Sequence, residues 1–177
     1  MGSAMFKKII SGGQTGVDRA ALDFAMTRGV PVGGWCPKGR KSDDGPIDTH
    51  YPLQETPTAN YRQRTYWNMR DCDGALILHR GHLSGGTLLT VQLAISLKKP
   101  HCVINLNRNV CLNNIREWAK KYQVGILNVA GPRESGNLGI QVETRMFLQM
   151  LYSGEAVWMP MDRLLPLQPC YFMEAPS

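Results

Sequence analysis

The sequence predicts an α/β protein with a mostly parallel sheet of about five strands between two layers of helices. Short apolar runs rich in β-branched residues alternate along the chain with longer segments whose apolar residues recur at helical spacing. One of these runs, residues 74–78, is apolar throughout, which is typical of a strand buried on both faces of a parallel sheet. Strands that alternate with helices form βαβ units, and such units place helices on both faces of the sheet.

The bulk composition indicates one globular domain. With 177 residues, 43% of them hydrophobic and 19% charged, the chain is long enough to bury a substantial core. We expect a single domain over 1–177, with its core in 7–152 and a C-terminal segment, 153–177, that packs on the domain or on a neighbouring subunit. The formal net charge of +6 favours anionic small molecules, and no basic run interleaved with aromatic residues indicates nucleic-acid binding.

The cysteines and the lack of targeting signals indicate a reducing compartment. The five cysteines form no C-x-x-C pair, and the sequence contains neither a signal peptide nor a long apolar span. We therefore expect reduced thiols, a cytoplasmic location and no contact with membranes. His79 and His82 have no matching cluster of cysteines or carboxylates, so no protein-ligated metal is expected.

The first predicted strand and helix, residues 7–11 and 17–28, are joined by a glycine-rich turn. This turn consists of Gly12, Gly13, Gln14, Thr15 and Gly16. Thr15 and Asp18 have the spacing of a capping box, and Gly29 is placed to end the helix. Three glycines in five positions suggest that something approaches the backbone closely, and N–H groups at a helix N-terminus bind anions. The alternative is a tight, well-capped turn without a ligand.

A long connection and a helix rich in arginine follow the second predicted strand, 31–33. The connection, from residue 34 to about 60, is too long for a plain linker, and loops of this length are often lids or binding loops. Lys38, Gly39 and Arg40 lie in it; the two cations could clamp a phosphate or could form a solvated surface pair. In the predicted helix 60–72, Arg64 and Asn68 share a face, which could be directed at a ligand or at solvent.

A second glycine turn follows the apolar strand. It contains Ser84, Gly85, Gly86 and Thr87 and leads into a helix that extends to Leu97 and is apolar almost all round, so we predict a central helix. The remaining predicted elements are a strand at 101–104, a helix at 110–122, a strand at 126–130, a turn that contains Arg133, and a helix at 140–152. Since the carboxyl ends of parallel strands share one edge, the turns near Gly12, Gly34–Arg40, Ser84–Thr87 and Arg133 should meet there.

The glycine turns match none of the common nucleotide or hydrolase signatures. The chain has no G-x-G-x-x-G fingerprint with its acidic partner, no G-x-x-x-x-G-K-[ST] phosphate loop and no G-x-S-x-G nucleophile turn. What remains is a pair of turns that could each hold an anionic group.

Several longer segments together resemble the putative molybdenum carrier family, in the circularly permuted branch of the SLOG superfamily. They are GGQTGVDRAALDFA, GGWCPKGRKSDDGPI, YPLQETPTANYRQRTYWNMRD, LSGGTLLT and LNVAGPRES, in this order over about residues 7–152. The resemblance implies a Rossmann-like three-layer domain, usually a homo-oligomer, that binds a nucleotide or a phosphorylated pterin such as molybdenum cofactor (molybdopterin). By the same resemblance, Gly12, Gly13, Thr15 and Gly16 form one phosphate loop, Ser84 to Thr87 form a second, Lys38 and Arg40 belong to the PKGR segment, and Arg64 and Asn68 belong to the R-T-x-x-N segment.

One departure from the superfamily bears on catalysis. Related phosphoribohydrolases carry P-G-G-x-G-T-x-x-E, and this sequence has Thr90 where the glutamate would stand. A threonine cannot act as a carboxylate near neutral pH. We therefore favour a carrier or sensor of a phosphorylated small ligand, molybdenum cofactor or a nucleotide derivative. The alternative is an enzyme that cleaves a nucleotide's glycosidic bond, with Asp18 or Glu55 in place of the missing glutamate.

Overall fold

The computed structural model describes residues 5–158, 167–168 and 171–173, and it confirms the predicted α/β fold. The helices are α1 (Val17–Thr27), α2 (Tyr61–Asp71), α3 (Gly85–Ser96), α4 (Leu112–Lys121) and α5 (Ile140–Ser153). The strands are β1 (Lys8–Ile10), β2 (Val32–Gly33), β3 (Trp35–Cys36), β4 (Lys41–Ser42), β5 (Gly45–Pro46), β6 (Gln54–Glu55), β7 (Gly74–His79), β8 (His101–Asn105), β9 (Asn109–Cys111), β10 (Ile126–Ala130), β11 (Val157–Trp158), β12 (Leu167–Gln168) and β13 (Tyr171–Met173). Across these three ranges, we find no helix with the length and apolar character needed to cross a membrane.

The central sheet has six strands in the order β13-β8-β7-β10-β1-β2. The five strands from β8 to β2 are parallel, as predicted. The sixth, β13, pairs antiparallel with β8 at one edge and was not expected, because the C-terminal segment has no clear strand pattern. The carboxyl ends of β7, β10 and β1 therefore lie side by side in the middle of the sheet.

Helices cover both faces of the sheet, which gives three layers. Every residue of β7 is buried, and its side chains alternate between the two faces. Leu76 and Leu78 belong to the larger apolar cluster, which contains residues of α1, α4 and α5. Ala75 and Ile77 belong to a smaller cluster with residues of α2 and α3.

The expectation that α3 is a central helix is wrong. Among the residues of α3, only Thr87, Thr90 and Ala94 are buried, while Leu88 and Ile95 are 38% and 44% exposed. The sheet covers one side of the helix, and the apolar residues on its other side remain at the surface of this chain.

The start of the fourth helix also differs from the prediction. Residues 109–111 form β9, so α4 begins at Leu112 rather than at Val110. The strand β9 pairs with β11 and β12 of the C-terminal segment. The Trp158 indole is buried there, with its ring centroid 5.4 Å from that of Phe147, and its Nε1 donates to the Leu106 carbonyl at 3.2 Å. The parts of segment 153–177 at 159–166, 169–170 and 174–177 lie outside the described residues.

Candidate functional site

A cavity of about 360 Å³ opens at the carboxyl edge of the sheet, where β1, β7 and β10 end. Its lining comes from the turn after β1 (Gln14, Asp18), from α2 (Tyr61, Arg64, Thr65), from the start of α3 (Ser84, Gly85, Gly86, Thr87, Thr90) and from the segment after β10 (Ala130, Gly131, Pro132, Arg133, Ser135, Gly136, Asn137). Three of the four turns that the sequence placed at one edge thus meet at this cavity. This is where open parallel sheets bind ligands.

The first glycine turn is capped by the protein itself. Four consecutive N–H groups, those of Gln14, Thr15, Gly16 and Val17, donate in turn to Asp18 Oδ2 (3.4 Å), Gln14 Oε1 (3.0 Å), Gln141 Oε1 (3.4 Å) and the Pro132 carbonyl (3.3 Å). The predicted capping box is not formed, because Gly16 is the N-cap residue and the buried Thr15 hydroxyl has no partner among the described residues. These N–H groups already have acceptors, so the structure does not support the phosphate loop expected here.

Close approach does explain the three glycines, but protein segments make it. A Cβ at Gly12 would lie 2.3 Å from the Arg64 guanidinium, one at Gly13 2.4 Å from Leu53 Cδ1, and one at Gly16 2.4 Å from the Pro132 carbonyl oxygen. Gly13 and Gly16 also have φ of +74° and +82°, which disfavours other residues. The glycines let α2, the long connection and the segment after β10 converge on this turn.

The second glycine turn is open. A Cβ at Gly85 or Gly86 would meet no atom within 4 Å, and the side chain of the N-cap residue Ser84 caps no N–H group. The first N–H groups of a helix have no partner within the helix, and the helix dipole adds positive partial charge there. The N-terminus of α3, at Gly85–Thr87, therefore presents free donors to the cavity.

Two largely buried side chains of the cavity lining, Arg64 and Gln14, carry donors without a described partner. Arg64 Nη2 lies 3.1 Å from Asp18 Oδ2, and the Arg64 and Asp18 side chains are only 13% and 3% exposed. Arg64 Nε and Gln14 Nε2 are buried and have no partner among the described residues. Gln14 Oε1 accepts from the N–H groups of Thr15 and Asp43, both at 3.0 Å, which assigns the other amide atom as nitrogen. Buried donors of this kind normally have an acceptor, so both atoms are exceptions within the described structure.

The charges at the base of the cavity balance each other. Burial raises the pKa of Asp18, whereas the Arg64 guanidinium and the N–H of Gln14 lower it. Because Asp18 is paired with Arg64, the two side chains add no net charge to the cavity, and the helix dipole places positive partial charge at the N-terminus of α3. Thr90, at the position of the superfamily glutamate, is buried and donates its hydroxyl to the Gly86 carbonyl at 2.8 Å.

Eight of the predicted site residues do not line the cavity, and Gly12, Gly13, Thr15 and Gly16 of the first turn are four of them. Lys38, Gly39, Arg40 and Asn68 do not line the cavity. The Asn68 side chain accepts from the Trp35 N–H and donates to the Trp35 carbonyl, both at 2.9 Å. Gly39 N–H donates to Glu55 at 2.5 Å, so this carboxylate also lies outside the cavity.

Arg40 organises the connection rather than a ligand. Its guanidinium donates to the carbonyls of Ile47 (2.7 Å), Asp48 (2.7 Å), Tyr51 (3.0 Å) and Leu53 (3.2 Å). Every nitrogen of the group is therefore engaged within 47–53, which corrects the expectation that Arg40 clamps a phosphate.

We expect Arg40→Met to destabilise the protein by about 2–3 kcal/mol. The variant removes the charge-assisted hydrogen bonds of four carbonyl groups, and some of these carbonyls remain buried without another donor. Urea unfolding measures the change. The matched variant Lys38→Met removes an exposed cation from the same segment and should change the free energy of unfolding by less than about 0.5 kcal/mol. Equal effects of the two variants would contradict this role for Arg40.

An acidic turn in the connection is tied to the rim of the cavity. Asp43 accepts from Arg133 Nη1 at 2.7 Å and from Ser135 Oγ at 2.9 Å, and Asp44 forms an ion pair with Arg19. The Arg133 guanidinium lies 5.0 Å from the ring centroid of Tyr61. Tyr61 was not among the predicted site residues, and Arg133 was placed at this edge by its position after β10 but was not assigned to the ligand.

The fold and the cavity define an α/β protein with a Rossmann-like sheet and a cavity at the carboxyl edge of that sheet. The sequence model of the circularly permutated YpsA SLOG family matches residues 9–152, and the chain belongs to this family. A similar solved structure is that of a putative molybdenum carrier protein from Syntrophus aciditrophicus SB, with 43% sequence identity and a TM-score of 0.81. The similarity covers 84% of this chain and 96% of that one. No curated protein matches the chain.

Within the part of the chain that the structure describes, no group of three or more His, Cys, Asp or Glu side chains could hold a metal ion. Neither His79 nor His82 lines the cavity.

Proposed function

We propose that this protein binds a phosphorylated small molecule in the carboxyl-edge cavity and acts as its carrier or sensor. One observation carries the proposal: the uncapped N-terminus of α3 lines the same cavity as the side chains of Arg64 and Gln14, each of which carries a buried donor without a described acceptor. An oxyanion at Gly85–Thr87 would accept from the free N–H groups and lie in the positive field of the helix. Hydrogen bonds to charged groups contribute roughly 1.5–3 kcal/mol each, so two or three of them would dominate the affinity.

The resemblance described in the sequence analysis implies two ligand classes, molybdenum cofactor and a nucleotide derivative, and the neighbour's name, putative molybdenum carrier protein, supports a ligand related to molybdenum. Both classes of ligand consist of a phosphate group attached to a ring system. The volume of the carboxyl-edge cavity, about 360 Å³, falls within the range for small-ligand sites. No cysteine or histidine is among the lining residues that the structure describes, so molybdenum would be carried as part of a ligand. The oxyanion at α3 is the feature that both classes share.

Native mass spectrometry of the freshly purified protein tests the proposal. We expect a non-covalent adduct of a phosphorus-containing small molecule, which is lost on denaturation. The proposed function would be contradicted if the purified protein carried no adduct and if millimolar AMP, GMP and pyrophosphate also left its melting temperature unchanged.

The alternative, glycosidic hydrolysis, rests on Asp18, which is the one carboxylate among the described lining residues. Its pairing with Arg64 leaves it badly placed to act as a base, and Thr90 gives no second carboxylate. We therefore predict that nucleoside monophosphates release no free base when incubated with the protein and analysed by chromatography. Turnover near 1 s⁻¹, a common enzyme scale, would show that catalysis occurs.

We also propose that the protein is a homo-oligomer and that it is cytoplasmic. The exposed apolar side chains of Leu88 and Ile95 on α3 support self-association. Light scattering should give a particle larger than 19.8 kDa at micromolar concentration, and a monomer would contradict this. The free thiols of Cys36 and Cys72 support a reducing compartment.

A further inference from the structure

A second and larger cavity, of about 890 Å³, lies at the amino-terminal edge of the sheet, opposite the candidate site. It is bordered by the residues just before β1 and β10 and by the carboxyl ends of α1, α4 and α5. It shares no lining residue with the carboxyl-edge cavity.

Four cations line this second cavity: Lys7, Arg28, Arg116 and Lys120. The described lining contains no aspartate or glutamate, and none of the four cations has a carboxylate partner among the described residues. Arg116 is held in place because Nε and Nη2 donate to the Leu151 and Met150 carbonyls at 2.9 and 3.0 Å. Unpaired cations concentrated on one cavity attract anions.

The C-termini of α1, α4 and α5 at this edge carry negative partial charge, which offsets the charge of the four cations only in part. Each helix C-terminus carries about −0.5 elementary charge, so three contribute about −1.5. Four side chains with a full positive charge exceed this sum. The cavity as a whole is therefore electropositive.

Tyr152 provides an observation that is independent of charge. Its hydroxyl oxygen is buried and has no hydrogen-bond partner among the described residues, and its ring packs against those of Phe24 and Phe6. Burial raises the pKa of Tyr152, so the phenol is neutral and can donate as well as accept a hydrogen bond. A buried hydroxyl without a partner is unusual in a folded protein, and Tyr152 belongs to the lining of this cavity.

We propose that the amino-edge cavity binds a second anionic small molecule, one that carries at least two phosphate or carboxylate groups next to an apolar part. The four cations would contact the anionic groups, Tyr152 would donate to one of them, and Met5, Val30 and Val124 would contact the apolar part. The volume suits a ligand of mononucleotide size or larger. This site does not depend on the function proposed for the other edge.

Isothermal titration calorimetry with ATP as the probe tests this site. We expect the double variant Arg28→Gln/Lys120→Gln to weaken ATP binding roughly ten-fold or more, because two contacts to charged groups are lost. The matched control, Arg108→Gln/Lys98→Gln, removes the same charges from residues outside both cavities and should change the affinity less than about two-fold at physiological salt. Equal weakening by the two double variants would overturn the proposal, as would the absence of binding at millimolar ATP.

Tyr152→Phe separates ligand binding from a structural role of the hydroxyl. Without ligand, the variant should melt at the same temperature as the parent or higher, because it removes a buried hydroxyl that has no partner. ATP binding should weaken roughly three- to ten-fold, as expected for one hydrogen bond. A variant that melts lower and binds ATP as tightly as the parent would overturn the role of Tyr152. If substitutions in the carboxyl-edge cavity abolished ATP binding and those in the amino-edge cavity did not, ATP would bind only at the carboxyl edge. That result would overturn the second site and leave the function proposed for the carboxyl edge intact.

Discussion

Gly86→Asp is expected to raise the melting temperature of the protein and to abolish oxyanion binding at the carboxyl edge. The position has open space around the Cβ and lies in the first turn of α3, where no side chain caps the N–H groups. A carboxylate there stabilises a helix by about 0.3–1 kcal/mol. The same carboxylate would occupy the donors that we assign to the ligand, and losing two such contacts weakens binding about 10²–10⁴-fold.

Two matched variants at the same position separate charge from shape. Gly86→Ala adds only the Cβ, and Gly86→Asn adds a side chain of the same size as aspartate without its charge. Both should bind pyrophosphate within a few-fold of the parent in calorimetry. If Gly86→Asp bound pyrophosphate as tightly as Gly86→Ala, the oxyanion would not lie at the N-terminus of α3.

Arg64→Met is expected to destabilise the protein by about 3–5 kcal/mol at pH 7, because it leaves the buried Asp18 carboxylate without its partner. The double variant Arg64→Met/Asp18→Asn should recover most of that loss, since no charge is then buried. Urea unfolding measures both, with Arg62→Met, an exposed arginine of the same helix, as the control. Recovery of less than a third of the loss would show that Arg64 stabilises the protein by packing rather than by its charge.

The Arg64→Met variant should also respond to pH in a defined direction. Burial already raises the pKa of Asp18, and removal of the guanidinium raises it further. A carboxyl group with a raised pKa in the folded state binds its proton more readily there than in the unfolded chain. The free energy of unfolding of Arg64→Met should therefore increase as the pH falls from 7 toward the unfolded pKa of about 4. A loss of stability over that interval, relative to the parent, would contradict this account of Asp18.

Local patterns predicted the sheet and most helices, because those elements depend on residues close in sequence. The apolar run of β7 indicated a strand buried on both faces, and the asparagine before α2 caps it by accepting from Arg62 N–H. Pairing between distant segments carried no such signal. The antiparallel edge strand β13 and the short strand β9 depend on contacts between β8 or β9 and the C-terminal segment, so sequence reasoning missed them.

The site shows the same division between local and distant information. The glycines of the first turn correctly indicated close approach, but the sequence could not show that Arg64, Leu53 and Pro132 are what approaches. Arg40 was grouped with the ligand contacts because a cation in a long loop could clamp a phosphate and because it belongs to the PKGR segment of the family resemblance. In the structure its guanidinium donates to four carbonyls of its own loop. The second turn was also predicted as a binding element, and in the structure its glycines have open space around them and no side chain caps its N–H groups.

The central claim is that an oxyanion binds at the N-terminus of α3 and not at that of α1. A titration of the ¹⁵N-labelled protein with pyrophosphate, followed by the backbone amide resonances, tests it directly. We predict saturable shifts for Gly85, Gly86 and Thr87 and little change for Thr15, Gly16 and Val17, whose N–H groups already have protein acceptors. Saturable shifts at 15–17 with none at 85–87 would contradict the claim.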